Sequence, residues 1–250
     1  MLMGVSTEQQ ELHATVRRFL ADRAPLARVR ELMEADDGTD AEVWRQAAAQ
    51  LGLPGIAIPE EYGGSGFSFA EQAIVLEELG AALYTGPYLA SAVLAATALL
   101  ASPDEEARRD FLPGIASGET VATLAFTEDD GSWQPDAMRL SADRTDAGWR
   151  LDGHKSFVLD GHTAGLVLAM AATDGGLSLF AVQGGAAGLT RTPLATLDQT
   201  RKLARLEFGG VAGRLIGSPG DAAATADQVL DVAAIALAAL PRPTWTYWPT

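Results

Sequence analysis

At 250 residues, with 48% hydrophobic and 20% charged residues, the chain has the composition of one large or two ordinary globular domains, far from disordered, collagenous or disulfide-rich classes. A formal charge of −15 and the lack of a basic stripe oppose binding to nucleic acid or an anionic membrane, both of which depend on clustered Lys and Arg. With no cysteine, disulfides and thiolate metal sites are excluded, any redox chemistry has to come from a cofactor, and a reducing, cytoplasmic location is expected.

Met1 to Gln10 is polar and lacks a basic region followed by an apolar run, and no stretch is long and apolar enough to span a bilayer. Helix starts with capping-box spacing follow at Thr7 with Gln10, Thr39 with Glu42, and Ser68 with Glu71. Leu12, Val16, Phe19 and Leu20 line one face after the first start; Val43, Trp44, Ala47 and Leu51 line one after the second, which Gly52 ends. Ala90 to Ala101 is an alanine-rich run suited to a buried helix. Ser102-Pro103-Asp104-Glu105 places a cap, a proline at the first helical position and acids against the helix dipole; Pro113 and Gly114 are expected to stop that helix. Residues 1–118 therefore read as an all-helical domain.

From Val121 the texture changes to short strand-like runs: Val121 to Phe126, Trp149 to Leu159, Leu166 to Thr173, Leu177 to Val182 and Leu203 to Phe208. No helical pattern separates them, so residues 119–219 predict an antiparallel barrel or sandwich, not a dinucleotide-binding βαβ sheet. At Asp221 an acid cap opens a helix running to Ala239, whose Val229 to Leu240 stretch is expected in a core. The fold class is α+β, with 220–250 as the start of a further helical unit. Pro241, Pro243, Trp245, Tyr247, Trp248 and Pro249 then break the helical pattern, the composition of a foreign tail from a shifted frame or altered gene end, or of a natural aromatic tail.

Several strings agree with this order of domains. Leu51-Gly52-Leu53-Pro54-Gly55-Ile56 leading to Pro59-Glu60-Glu61-Tyr62-Gly63-Gly64-Ser65-Gly66, then Glu77-Glu78-Leu79-Gly80, and Gly153-His154-Lys155-Ser156-Phe157-Val158 to Gly161, together resemble the acyl-CoA dehydrogenase family over nearly the whole chain. Read without that resemblance, Gly63, Gly64 and Gly66 simply permit a tight loop; no Lys-Ser/Thr pair makes them a phosphate loop, and Phe69 stands where a dinucleotide fingerprint needs glycine.

The resemblance implies an FAD-dependent enzyme that desaturates an acyl-CoA thioester between its α and β carbons. Leu124 to Trp133 resembles the family's flavin loop, although it is about one residue short and carries Asp129 and Asp130 where the family has Pro and Gly. Two acids near a pyrophosphate repel it, so they must point away or flavin binding weakens. By the resemblance, Phe126, Thr127, Gly131 and Ser132 of this loop contact the flavin, as do Phe157, Val158 and Leu159 of the hairpin. Phe157 would lie against the isoalloxazine. Leu159 stands where many members have a Thr or Ser donor to flavin N5, which leucine cannot replace. A solvated acidic turn and ordinary strand packing are the alternatives for these two segments.

The family's reaction needs a glutamate base in its C-terminal helical domain, and nothing after Asp231 is acidic, so no catalytic residue is carried over. Glu60 and Glu128 belong to other motifs. The resemblance therefore implies a truncated or heteromeric subunit that works with another acyl-CoA dehydrogenase subunit and with electron-transferring flavoprotein; the alternatives are a non-catalytic FAD-contacting partner and an inactive fragment. Phe157 to Gly161 is similar to the branch that acts on steroid side-chain thioesters as mixed tetramers. Arg201, in Asp198-Gln199-Thr200-Arg201, is assigned to a flavin or subunit contact, with an exposed salt bridge as the alternative. His13, His154 and His162 lack metal-site spacing, and Asp36 to Asp40 lacks that of a calcium loop, so no metal is expected.

Overall fold

The structure is a computed structural model that describes residues 6–134 and 137–240; the proline- and tryptophan-rich tail singled out above lies outside the described residues. Its helical layer comprises α1 (Thr7–Arg23), α2 (Leu26–Glu34), α3 (Ala41–Leu51), α4 (Phe69–Ala81), a π-helical stretch Leu89–Ala95 running into α5 (Ala96–Ala101), and α6 (Glu105–Ala116). Local chemistry sets most of the ends. Ser68 and Glu71 form the expected capping box. The first box shifts by one residue, to Ser6 with Gln9, because Ser6 is still extended whereas Thr7 is already helical. At α3 the cap is Asp40, not Thr39: its carboxylate accepts from the N–H groups of Glu42 and Val43 at 3.1 and 3.2 Å and is also held by Arg28. Gly52, at φ +62°, ends α3 as expected.

Two expectations about α6 are corrected. Asp104 is the cap, so Pro103 precedes the helix instead of opening it, and Pro113 lies inside a helix that continues to Ala116. Only one turn follows Pro113, and the N–H groups of Ser117 and Gly118 still find the carbonyls of Pro113 and Ile115 at 3.0 Å, so the proline forfeits little. The Gly63 to Gly66 segment is a packed turn. A Cβ on Gly64 would stand 2.0 Å from the Ile58 carbonyl oxygen, which requires glycine there without any ligand.

Among the described residues seven strands follow: β1 (Ala122–Ala125), β2 (Ser141–Thr145), β3 (Gly148–Leu159), β4 (Leu166–Thr173), β5 (Gly176–Gln183), β6 (Leu189–Leu194) and β7 (Leu203–Ile216). The ladders β4–β5, β5–β7, β7–β3, β3–β2 and β2–β4 close a barrel; β1 and β6 extend it on β4 and β7. Pairing is antiparallel except at β4, where β1 runs parallel and β2 touches through Ser141 and Ala172. Sequence reasoning missed β2 and β6, which carry the polar runs Ser-Ala-Asp-Arg-Thr and Leu-Thr-Arg-Thr-Pro-Leu. The barrel is filled by Leu151, Val158, Val167, Phe180, Leu206 and Phe208. Trp149 meets Phe180 edge-on, with ring centroids 5.5 Å apart.

Between barrel and helices lies a second core of Leu99, Leu112, Ile115, Leu124, Leu168 and Val229, the last from α7 (Ala223–Ala239). Asp221 does not cap α7: its carboxylate accepts from the Ser218 N–H at 2.7 Å, and the cap position, Ala222, has no side-chain bond. The expectation that Val229 to Leu240 is core holds for one stripe only. Val229 and Ala236 are buried against the helical layer, Leu237 is 46% exposed at the cavity beside Leu230, and Ile235 is 56% exposed on the far side of the helix.

The two layers are stapled at one corner. Arg201, expected in a flavin or subunit contact or else in an exposed salt bridge, donates to the Tyr84 carbonyl at 2.7 Å, and Lys202 donates to the Met33 carbonyl at 2.6 Å. Beside them Asp160 is buried with φ +51°, and burial pushes its carboxyl up to about 7 although Arg201 pulls it down.

Two predictions follow from this packing. Phe180→Ala should destabilise the chain by about 3–5 kcal/mol in urea unfolding, because it empties the barrel centre. Asp160 has a folded-state pKa above its unfolded value, so its contribution is fully present below about pH 4 and is lost as the pH rises through about 7. Asp160→Asn, which tolerates the same backbone, should match the parent near pH 4 and exceed it by roughly 2–4 kcal/mol at pH 8; equal stabilities at pH 8 would contradict the buried neutral carboxyl.

Candidate functional site

An apolar cavity of about 160 Å³ opens where β1 and the segment after it, the end of β3, the π-helical stretch and α7 converge. Four of the seven residues expected to contact a flavin line it: Phe126, Thr127, Phe157 and Leu159. The opposite walls, Leu89 and Leu94 from the helical layer and Leu230 and Leu237 from α7, were not anticipated, and neither was Trp133 at the mouth. A tryptophan directly after a Gly-Ser pair was the sequence signal that could have found the last.

The position of Phe157 comes from a break in the β3–β7 register between Lys155 and Val158. There Phe157 adopts φ +58°, a left-handed conformation uncommon for a bulky residue, and its ring is 47% exposed. The ring lines both the cavity and an adjoining groove of about 460 Å³ formed with Leu194, Leu197, Arg201 and Leu203. Val158, next in sequence, points the other way into the barrel and is 1% exposed, so it does not reach the cavity. Leu159 returns to the cavity wall without any donor.

Thr127 is fixed against β3: its hydroxyl donates to the Ser156 carbonyl at 2.7 Å, and the Ser156 N–H donates to the Thr127 carbonyl at 2.9 Å. Gly131 and Ser132 sit further along the turn and do not line the cavity. The Gly131 N–H bonds to the Glu128 carbonyl, and the Ser132 N–H bonds to the Asp130 carboxylate, both at 2.9 Å. These amides are therefore committed locally, while the Ser132 hydroxyl, which accepts from the Gln134 N–H at 3.2 Å, keeps its proton available.

The acidic turn does not present bare charge to the cavity. Asp129 pairs with Arg205, accepts from the Ser156 hydroxyl and lies 3.0 Å from His154 Nε2. Hydrogen bonds from Arg205 and Ser156 pull its carboxyl down to about 2. Beneath it, Glu128 Oε1 accepts from the N–H groups of Arg139 and Leu140 and from Lys155 Nζ at 2.8–2.9 Å. Burial acts to raise the Glu128 pKa, but the Leu140 N–H, the Lys155 ammonium and the Arg139 N–H together hold it below the usual carboxylate range. Burial lowers the Lys155 pKa against the opposing pull of Glu128. Among the described residues no His, Asp or Glu cluster could hold a metal, and no helix is long and apolar enough to cross a membrane.

Comparison with known proteins agrees with this architecture. Residues 6–119 match the family model "Acyl-CoA dehydrogenase, N-terminal domain". "Acyl-CoA dehydrogenase IpdE2" of Mycobacterium tuberculosis is 34% identical over 200 residues, covering 80% of this chain and 51% of that protein. The mitochondrial isovaleryl-CoA dehydrogenase of Pongo abelii is 30% identical over 200 residues, covering 75% of this chain and 46% of that protein. The chain thus spans about half the length of these curated relatives. Among solved structures, the ChsE4-ChsE5 complex from Mycobacterium tuberculosis superposes with a TM-score of 0.84 at 30% identity, covering 96% of this chain and 64% of that one. With its helical layer matched by the family model and its helices, barrel and α7 superposed within a 96% coverage, the chain belongs to the acyl-CoA dehydrogenase family.

Proposed function

We propose that this chain holds FAD and takes part in the α,β-desaturation of an acyl-CoA thioester. The observation that carries the reading is the apolar cavity at which Phe126, Thr127, Phe157 and Leu159 converge. Its chemistry fits the ring portion of a flavin: Phe157 offers a flat, half-exposed face, and the surrounding walls are leucine and tryptophan. A whole dinucleotide is larger than 160 Å³, so the rest of FAD would extend past Gly131 and Ser132, where the Ser132 hydroxyl can donate to a phosphate oxygen. In this reading 1–118 is the helical domain, 119–219 the flavin-flanking β domain and 220–250 the start of a further helical unit, in a cytoplasmic protein.

Bound FAD supplies the two-electron acceptor: the thioester loses a proton from its α carbon and a hydride from its β carbon. The chain's own residues then have three tasks. Phe157 orients the ring, the leucines of the π-helical stretch and α7 exclude water from the acyl side, and Arg205 and Ser156 keep the charge of Asp129 away from the phosphates. Thr127 can accept but not donate at the cavity, because its proton is committed to Ser156, and Leu159 provides no donor either. Among the described residues no carboxylate lines the cavity, and Glu128 Oε1 is engaged by Lys155 and two amides. The base that removes the α proton would therefore come from outside these residues.

The names of two relatives favour a specific form of the reading, in which the chain is one subunit of a heteromeric dehydrogenase that passes electrons to electron-transferring flavoprotein. The relatives in solved structures named "Tcur3481-Tcur3483 steroid ACAD" and "ChsE4-ChsE5 complex" carry two subunits in their names, and both are 30% identical to this chain. By that likeness a bulky steroid-type thioester is the favoured substrate. Ile235, exposed on the side of α7 away from the cavity, suits a surface covered in an assembly; the remaining alternative is an inactive chain prone to association.

Visible absorption of the purified chain, alone and co-expressed with a second acyl-CoA dehydrogenase subunit, tests the reading. Yellow protein that bleaches with acyl-CoA only in the presence of the second subunit is expected. Colourless protein in every combination would remove the FAD assignment, and robust turnover by the chain alone would remove the need for a partner. Phe157→Ala should weaken FAD binding at least about tenfold in a fluorescence titration, equivalent to about 1.4 kcal/mol, with little change in melting because the ring is half exposed.

A further inference from the structure

The Lys155 side chain has no exposed surface, and none of the steps above uses it. It lies on β3 two residues before Phe157. Its Nζ donates to the Phe126 carbonyl and to Glu128 Oε1, each at 2.9 Å. The same Glu128 oxygen accepts the N–H groups of Arg139 and Leu140 at 2.8 and 2.9 Å. One buried carboxylate oxygen and one buried ammonium thus tie three pieces of chain together: the exit from β1 at Phe126 to Glu128, the inner face of β3, and the return at Arg139 and Leu140. The turn between, which carries Gly131, Ser132 and Trp133, is closed at its base by this pair.

A buried ion pair is a poor device for stability alone, since desolvation offsets most of the attraction and an apolar pair of similar volume does as well. What charge adds here is geometry. An ammonium with two acceptors and a carboxylate oxygen with three donors admit few arrangements, whereas packed methylenes admit many. We propose that Lys155 and Glu128 are positioning residues that lock the turn after β1 onto β3, and so fix the spacing of Thr127, Trp133 and Phe157 around the ring-binding cavity. This rests on the flavin reading above, although the anchoring itself can be read without flavin.

The test uses the full chain and the double variant Lys155→Met/Glu128→Leu, which removes both charges at similar volume. Melting reports the fold, backbone amide exchange at Arg139 and Leu140 reports the anchor, and FAD titration with visible circular dichroism of the bound flavin reports the site. The expected result is a cooperative melt, exchange of both amides at least about tenfold faster, FAD affinity at least about tenfold lower and a changed flavin signal. A folded double variant with the parent's FAD affinity and flavin signal would overturn the proposal. If the double variant does not fold, Glu128→Gln, which keeps the acceptor oxygen and loses the charge, is expected to stay folded with a lowered melting temperature while binding FAD roughly threefold more weakly; unchanged affinity in the folded variant would overturn the proposal. If the parent itself takes up no FAD, the flavin reading falls separately, and unchanged exchange at Arg139 and Leu140 in the double variant would then overturn the anchoring as well.

Discussion

The burial of the Lys155 ammonium constrains the architecture around the cavity more than any other single feature. A cation with no exposed surface costs several kcal/mol unless its donors are met, and in this barrel only the Phe126 carbonyl and Glu128 meet them. The strand that places Lys155 inside therefore has to lie beside the exit of β1, and the segment leaving β1 has to fold back far enough for Arg139 and Leu140 to reach Glu128. The cavity wall is a consequence, because Phe126 and Thr127 flank the anchored point on one side and Phe157 follows Lys155 on the other.

The break in β3 directly after this anchor turns a strand that would otherwise alternate regularly into a device for display. Without the register shift, Phe157 would be one more residue on a pleated face. With it, Val158 completes the barrel core, while Phe157 stands half exposed between the cavity and the groove. A bulky residue held at positive φ stores strain that the surrounding ladders must over-determine, and such strain concentrates at functional positions. The charged surface alongside follows the same economy: Asp129, which would repel a phosphate if bare, is neutralised by Arg205 from β7, a strand distant in sequence.

The cavity also depends on elements from both layers. Its barrel side is rigid and hydrogen-bonded, and its other side is made of leucines from the π-helical stretch and α7, packed only by van der Waals contact. π-Helical turns are uncommon and tend to occur where a helix serves a site, and Leu89 and Leu94 fit that pattern. α7 offers Leu230 and Leu237 to the cavity and Val229 and Ala236 to the helical layer, and leaves Ile235 outward, so the same helix bounds the site and carries an exposed apolar residue.

The sequence by itself determined the order of the architecture and several of its local ends. Periodicity separated helices from strands near residue 120, Ser68 with Glu71 gave a cap, Gly52 gave a stop, and the glycine-rich and hairpin strings gave the family. These are short-range effects, in which a side chain meets a backbone group three or four residues away. Where the local pattern misplaced an end, as at Thr39, where Asp40 caps instead, or at Pro113, which lies inside the helix, backbone context decided the outcome. β2 and β6 were illegible because their polar residues owe strand geometry to the partners β3 and β7, not to their own pattern. Tertiary structure alone decided that Phe126, Thr127, Phe157 and Leu159 share a wall while Val158 does not, that Lys155 and Glu128 meet inside, and that α7 closes the cavity. Each of these follows from register and packing between segments far apart in the chain, and no local pattern of residues encodes that.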